Sequence, residues 1–93
     1  MPDIEFSSHA KEMMIERNIS VEWVWRAINA PARKRMGQDG NLHYTKAIKE
    51  KAGRVLRVVV NPNVQPNRVV TLFFDRRLTK KTGKRKSVLF KLK

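Results

Sequence analysis

Two histidines, His9 and His43, and an unusual supply of arginine and lysine are the residues of this chain with chemistry to offer. A histidine that takes or gives a proton, beside cations that hold a pentacoordinate phosphate, is equipment for splitting RNA by its own 2′-OH. The other route to RNA cleavage uses divalent metals held by clustered carboxylates. Here the acids, Asp3, Glu5, Glu12, Glu16, Glu22, Asp39, Glu50 and Asp75, are scattered, and no pair has the spacing of a metal site. No metal and no cofactor is expected. Cysteine is absent, which removes a thiolate nucleophile and a disulfide framework and suits a reducing, cytoplasmic setting.

Each candidate has a functional and a structural reading. His9 falls in the first turn of an expected helix, where the positive end of the helix dipole favours the uncharged ring that a general base needs. The structural reading makes it a capping or partly buried histidine. Arg17 falls on a helical wheel in the middle of the apolar stripe Ala10, Met13, Met14, facing the sheet. It then pairs with a carboxylate, reaches an anion site, or escapes to water where the helix frays. Arg57 interrupts the β-branched run Val55–Val60. Period-2 alternation puts Val55, Arg57 and Val59 on one face and Leu56, Val58 and Val60 on the other. If helices cover the second face, Arg57 stands on the open one. Which of His43, Tyr44, Lys46 and Thr71 meets it depends on strand register. Thr71 shares its face with Val69, Phe73 and Asp75 by the same alternation.

The charge is lopsided. Of a net +13, the last 43 residues carry +12 and the first 50 only +1. Arg76, Arg77, Lys80 and Lys81 form one cluster, and Lys84, Arg85 and Lys86 a second. A polyanion, RNA or DNA first, is the implied partner; the bland reading is a solvated tail. No apolar run is long enough to span a membrane, and the basic residues do not lie on one face of an amphipathic helix. Met1–Phe6 has neither a basic start nor an apolar h-region, so no secretion signal is expected there. Trp25, Phe73, Phe74 and Phe90 sit in apolar patterns suited to a core, while Trp23 lies off the apolar stripe.

The elements that must position these residues are short. Ser8 is the expected cap of a helix from about His9 to Arg17, stopped at Asn18. Ser20 caps a second, with Val21, Val24, Trp25 and Ile28 at helical spacing, ended before Pro31. After Pro31 the period becomes extended: Arg33–Met36 and Leu42–Ile48 flank the Asp39-Gly40 turn, followed by Val55–Val60, Val69–Phe74 and Ser87–Leu92. The expectation is a single α+β domain over 1–93, with two N-terminal helices packed on a four- to five-stranded antiparallel sheet and a basic C-terminal segment, 76–93.

Ser8-His9-Ala10, Met13-Met14, Glu16-Arg17-Asn18-Ile19-Ser20, Tyr44, Leu56–Val60 and Val69–Phe73 together resemble an uncharacterised bacterial domain family that opens Ser-x-His-Ala-x-x-Arg-Met-x-x-Arg-Gly-Ile. That family is similar to the BrnT and RelE toxins of the barnase–EndoU–colicin–RelE ribonuclease group. The likeness covers about Phe6 to Asp75. It implies a metal-independent ribonuclease site with His9 as base or acid, Arg17 and Arg57 as phosphate or transition-state contacts, and Thr71 as a polar site residue. Met13 stands where the family commonly has Arg, and Asn18 where it has Gly. The reading that follows is a toxin-like ribonuclease acting on RNA, on or off the ribosome, with an acidic antitoxin as partner. His43, Lys46 and the two basic clusters would hold the RNA. The alternatives are a non-catalytic RNA- or DNA-binding module on the same fold, and a basic domain that docks an acidic protein.

Overall fold

The chain's three-dimensional structure, a computed structural model, describes residues 4–78. Lys80, Lys81, Lys84, Arg85, Lys86, Phe90 and the expected strand Ser87–Leu92 lie outside the described residues. The elements run β1 (Ile4–Phe6), α1 (Ser8–Glu16), α2 (Val21–Asn29), β2 (Arg33–Met36), β3 (Leu42–Ile48), a 3-10 turn (Lys49–Lys51), β4 (Arg54–Asn61) and β5 (Asn67–Phe74). The five strands form one sheet in the order β1-β5-β4-β3-β2.

The class is α+β as expected, but the sheet is mixed. β2 to β5 form the antiparallel meander, whereas β1 adds to the β5 edge in parallel, Ile4 opposite Asn67 and Phe6 opposite Val69. A parallel neighbour needs a crossover, and α1, α2 and the meander supply it.

Both helices are built by their ends. Ser7, not Ser8, caps α1: its hydroxyl accepts from Ala10 N at 3.0 Å, and Ser8 is already helical. At the other end Asn18 takes the left-handed conformation, φ 53°. Its N–H donates to Ile15 O and that of Ile19 to Met14 O, so the carbonyls of the last turn are closed. Ser20 caps α2 as expected, through Glu22 N.

The helices cover one face of the sheet. Val24, Ala27 and Ile28 of α2 and Ala10 of α1 pack with Tyr44, Ile48, Leu56, Val58, Val60, Val69, Leu72 and Phe74. Trp23 is half-buried against this core under the Lys51 ammonium rather than off it. Leu56, Val58 and Leu72 are fully buried. At roughly 1.5–3 kcal/mol for each large side chain removed from water, this face holds the domain together. Among the described residues no helix is long and apolar enough to cross a membrane.

Candidate functional site

The face opposite the helices carries the chemistry, and strand register turns it into a grid. One row crosses four strands as Arg35, His43, Val59 and Thr71; the next reads Arg33, Thr45, Arg57 and Phe73. Neighbouring strands lie about 4.8 Å apart, so His43 and Thr71 stand about 10 Å apart across Val59. The sequence expectation that Arg57 occupies the open face holds, because Leu56, Val58 and Val60 all lie beneath the helices.

A bulge aims one end of the first row. Val60 pairs with Val69 and Val59 with Thr71, leaving Val70 as the extra residue. Strict alternation would keep Val69 and Thr71 together. The bulge separates them: Val69 is buried under the helices, and Thr71 joins Arg57 on the open face. It also frees the Val70 carbonyl, which accepts from the Ser7 hydroxyl at 3.1 Å. That bond ties the start of α1 to the bulge and leaves His9, two residues on, beside Thr71. His9 Nε2 and Thr71 Oγ1 are 3.1 Å apart, and the ring is exposed.

At the other end of the row the donors and acceptors form a chain. Arg57 Nε donates to Asp75 Oδ2 at 2.8 Å, and Nη2 lies 2.8 Å from the same oxygen. Its Nη1 donates to His43 Nδ1 at 3.2 Å. A guanidinium can only donate, so this contact assigns Nδ1 the acceptor role and Nε2 the ring proton. That proton points at Asp39, whose two carboxylate oxygens are each 3.3 Å away. Asp39–His43–Arg57–Asp75 is therefore one continuous string, which the sequence reading did not contain.

Its two carboxylates are held charged for different reasons. The Asn41 backbone N–H, bonded to the exposed Asp39, keeps that carboxyl below its usual range, and His43 adds to the effect. Asp75 is 4% exposed. Burial opposes its charge, but the Arg57 guanidinium and the backbone N–H groups of Leu78 and Arg77 outweigh burial and hold the carboxyl low. Gly37 makes room for the imidazole: a Cβ there would lie 2.6 Å from His43 Nε2 and 2.7 Å from Asp39 Oδ1.

An open cleft of about 670 Å³ lies over this face, lined among others by Arg33, Arg35, His43, Thr45 and Arg57, with Leu78 at one side. A smaller hollow of about 420 Å³ adjoins it, between Phe73, Arg57, Arg76 and Arg77. Arg33, Arg35, Arg76 and Arg77 are exposed, so the face is cationic despite its internal carboxylates.

Two expected site residues lie elsewhere. Arg17 does not face the sheet: it is the exposed C-cap of α1, because the helix ends there and the side chain reaches water. Lys46 pairs with Leu56 and so starts from the helix-covered side, although it also lines the cleft. Tyr44, paired with Val58, is buried on that same side. Phe73 is not a core residue but stands half-buried on the open face opposite Arg57. Among the described residues no group of three or more histidines or carboxylates could hold a metal ion.

Residues 6–74 match DUF4258, a domain family of unknown function, and the chain belongs to that family. No curated protein and no solved structure matches it.

Proposed function

We propose that this domain binds RNA across the open face of its sheet and cleaves it without a metal. The observation that carries this reading is the row Arg35, His43, Val59, Thr71, with His9 on Thr71, which offers two imidazoles on either side of one seat. In such a reaction one imidazole takes the ribose 2′-OH proton as the 2′ oxygen bonds to phosphorus. The bond from phosphorus to the 5′ oxygen breaks, and the other imidazole, protonated, gives the leaving oxygen its proton. The products are a 2′,3′-cyclic phosphate and a free 5′-OH. Arg57 and Arg35 meet the phosphorane charge. When Arg57 turns from His43 to the phosphate, it frees the Nδ1 lone pair as it supplies the cation.

The same reading takes in the kinship with BrnT and RelE toxins expected from the opening motif, a cytoplasmic setting, and an acidic antitoxin. A surplus of +13 would otherwise bind RNA indiscriminately. One observation favours a non-catalytic RNA- or DNA-binding module instead. Arg57 spends its donors on Asp75 and His43, and Arg17 stands apart at a helix end.

The test is end-labelled RNA incubated with the purified protein in EDTA, with and without ribosomes. Cleavage to 2′,3′-cyclic ends, lost in His9→Ala and His43→Ala but kept in Arg17→Ala, is expected. Salt-sensitive binding without any cleavage would leave the non-catalytic module standing and remove the nuclease.

A further inference from the structure

We infer that the hollow between Phe73 and the helical residues 76–77 seats one unpaired base of a single-stranded RNA, stacked on the Phe73 ring. This rests on the open face being an RNA-binding surface, and it names the form of RNA that the face takes. Phe73 pairs with Arg57 across β4 and β5, so its ring stands on the open side of the sheet, outside the core cluster. Phe73 is half-buried, so part of its surface is left to a ligand.

Three arginines line the hollow, Arg57 in β4 and Arg76 and Arg77 beyond the end of β5, together with His43, Phe74 and Asp75. The one carboxylate nearby, Asp75, is already bonded to Arg57 and to the N–H groups of Arg77 and Leu78, so it does not repel an anion as a free carboxylate would. An aromatic floor between cations suits a nucleobase with its phosphates: the base stacks, and the backbone runs past the arginines. Phe73 lies two residues from Thr71 on β5, about 7 Å along the strand. A nucleotide seated there leaves its neighbouring phosphate at the His43–Thr71 row. In a duplex the base faces are buried in their own stack, so only a strand with a free base can use the seat.

The test is fluorescence anisotropy with a short labelled 2′-O-methyl RNA strand, which cannot be cut by its own 2′-OH, and the same strand carrying abasic sugars throughout. Both have the same phosphates, so the difference between them reports the bases. The abasic strand is expected to bind about tenfold more weakly to the parent protein, the loss of a single stacked base. Phe73→Leu should bring the base-bearing strand down to the abasic level and leave the abasic strand unchanged, which also shows that the variant is folded. Phe73→Tyr should keep the parent ratio. Equal binding of the two strands by the parent, or an unchanged ratio in Phe73→Leu, overturns the base seat and leaves the anion-binding face intact. Failure of both strands to bind at low salt removes both.

Discussion

Asp75→Asn is the most revealing single change, because it removes a charge and almost nothing else. Asn keeps an oxygen for the Arg77 and Leu78 N–H groups, so the turn after β5 stays capped. What disappears is the anion 2.8 Å from two nitrogens of Arg57. Breaking a fully buried ion pair from one side costs about 3–5 kcal/mol, since it strands a charge. The Asp75 side chain is 6% exposed but that of Arg57 is 21%, so water relieves part of the penalty. About 2–3 kcal/mol, at and just below the lower end of that range, is therefore expected. Urea unfolding followed by circular dichroism measures it as a fall in midpoint at constant slope. Adding Arg57→Met to Asp75→Asn removes the stranded cation, so the double variant should be more stable than Asp75→Asn alone. If the two changes simply add, each costing its share independently, the pair is not coupled and the string through His43 has no anchor. The pH dependence has the same origin. Asp75 titrates lower folded than unfolded, so its contribution is full above the ordinary carboxylate range and is lost as pH falls through its folded value.

Gly37→Ala should displace the His43 ring, whose Nε2 would otherwise lie 2.6 Å from the new methyl carbon; imidazole 15N shifts that keep the Nε2–H tautomer bonded to Asp39 would contradict this. Glu50, held at about 2 by the hydrogen bond from Arg26, gives a second acid limb: stability is retained above about pH 5 and lost toward pH 2, and Glu50→Gln should flatten that limb in acid-unfolding curves. Leu56→Ala, at a fully buried position, should cost about 2–5 kcal/mol in the same urea assay, and a loss well under 1 kcal/mol would misplace the core. Arg33→Gln and Arg35→Gln should each reduce the slope of log affinity on log salt for single-stranded RNA by about 0.7. Lys34→Gln, whose ammonium lies over the Tyr44 ring on the helix side, should leave that slope alone, and an equal effect would mean that the wrong face has been chosen.

Much of the fold is legible because its signals are local. Asp39-Gly40 marks the hairpin of β2 and β3, Ser20 and Pro31 bracket α2, and the alternation of Val55–Val60 puts Arg57 on the open face without any knowledge of the partner strands. What escapes is set at a distance. β1 has three residues, too few to show a period, and exists only through its pairing with β5. The bulge at Val70 leaves no mark in a run of β-branched residues, yet it decides where Thr71 points. Arg17 misleads because a helical wheel has no ends: at the cap, the stripe that the wheel draws through it has already stopped. Asp75 is the acid that alternation leaves on the face of Thr71 and Phe73, and it is the single acid of the basic half. That isolation was the available signal for a partner to a guanidinium standing in a strand.

The cost of that guanidinium argues for its use. Apolar residues of similar size often hold a sheet as well as a buried ion pair does, so stability alone does not explain Arg57 and Asp75. Fixing a histidine tautomer is something an apolar pair cannot do. With Asp75 holding Nε and Nη2, the remaining Nη1 is left pointing at His43 Nδ1, and Asp39 accepts the hydrogen bond from Nε2. The ring is thereby held in one orientation, with its Nδ1 covered by a group that an incoming phosphate would attract away. On the proposed reading, an anion on this face competes with His43 for Arg57 and, in winning it, uncovers the base.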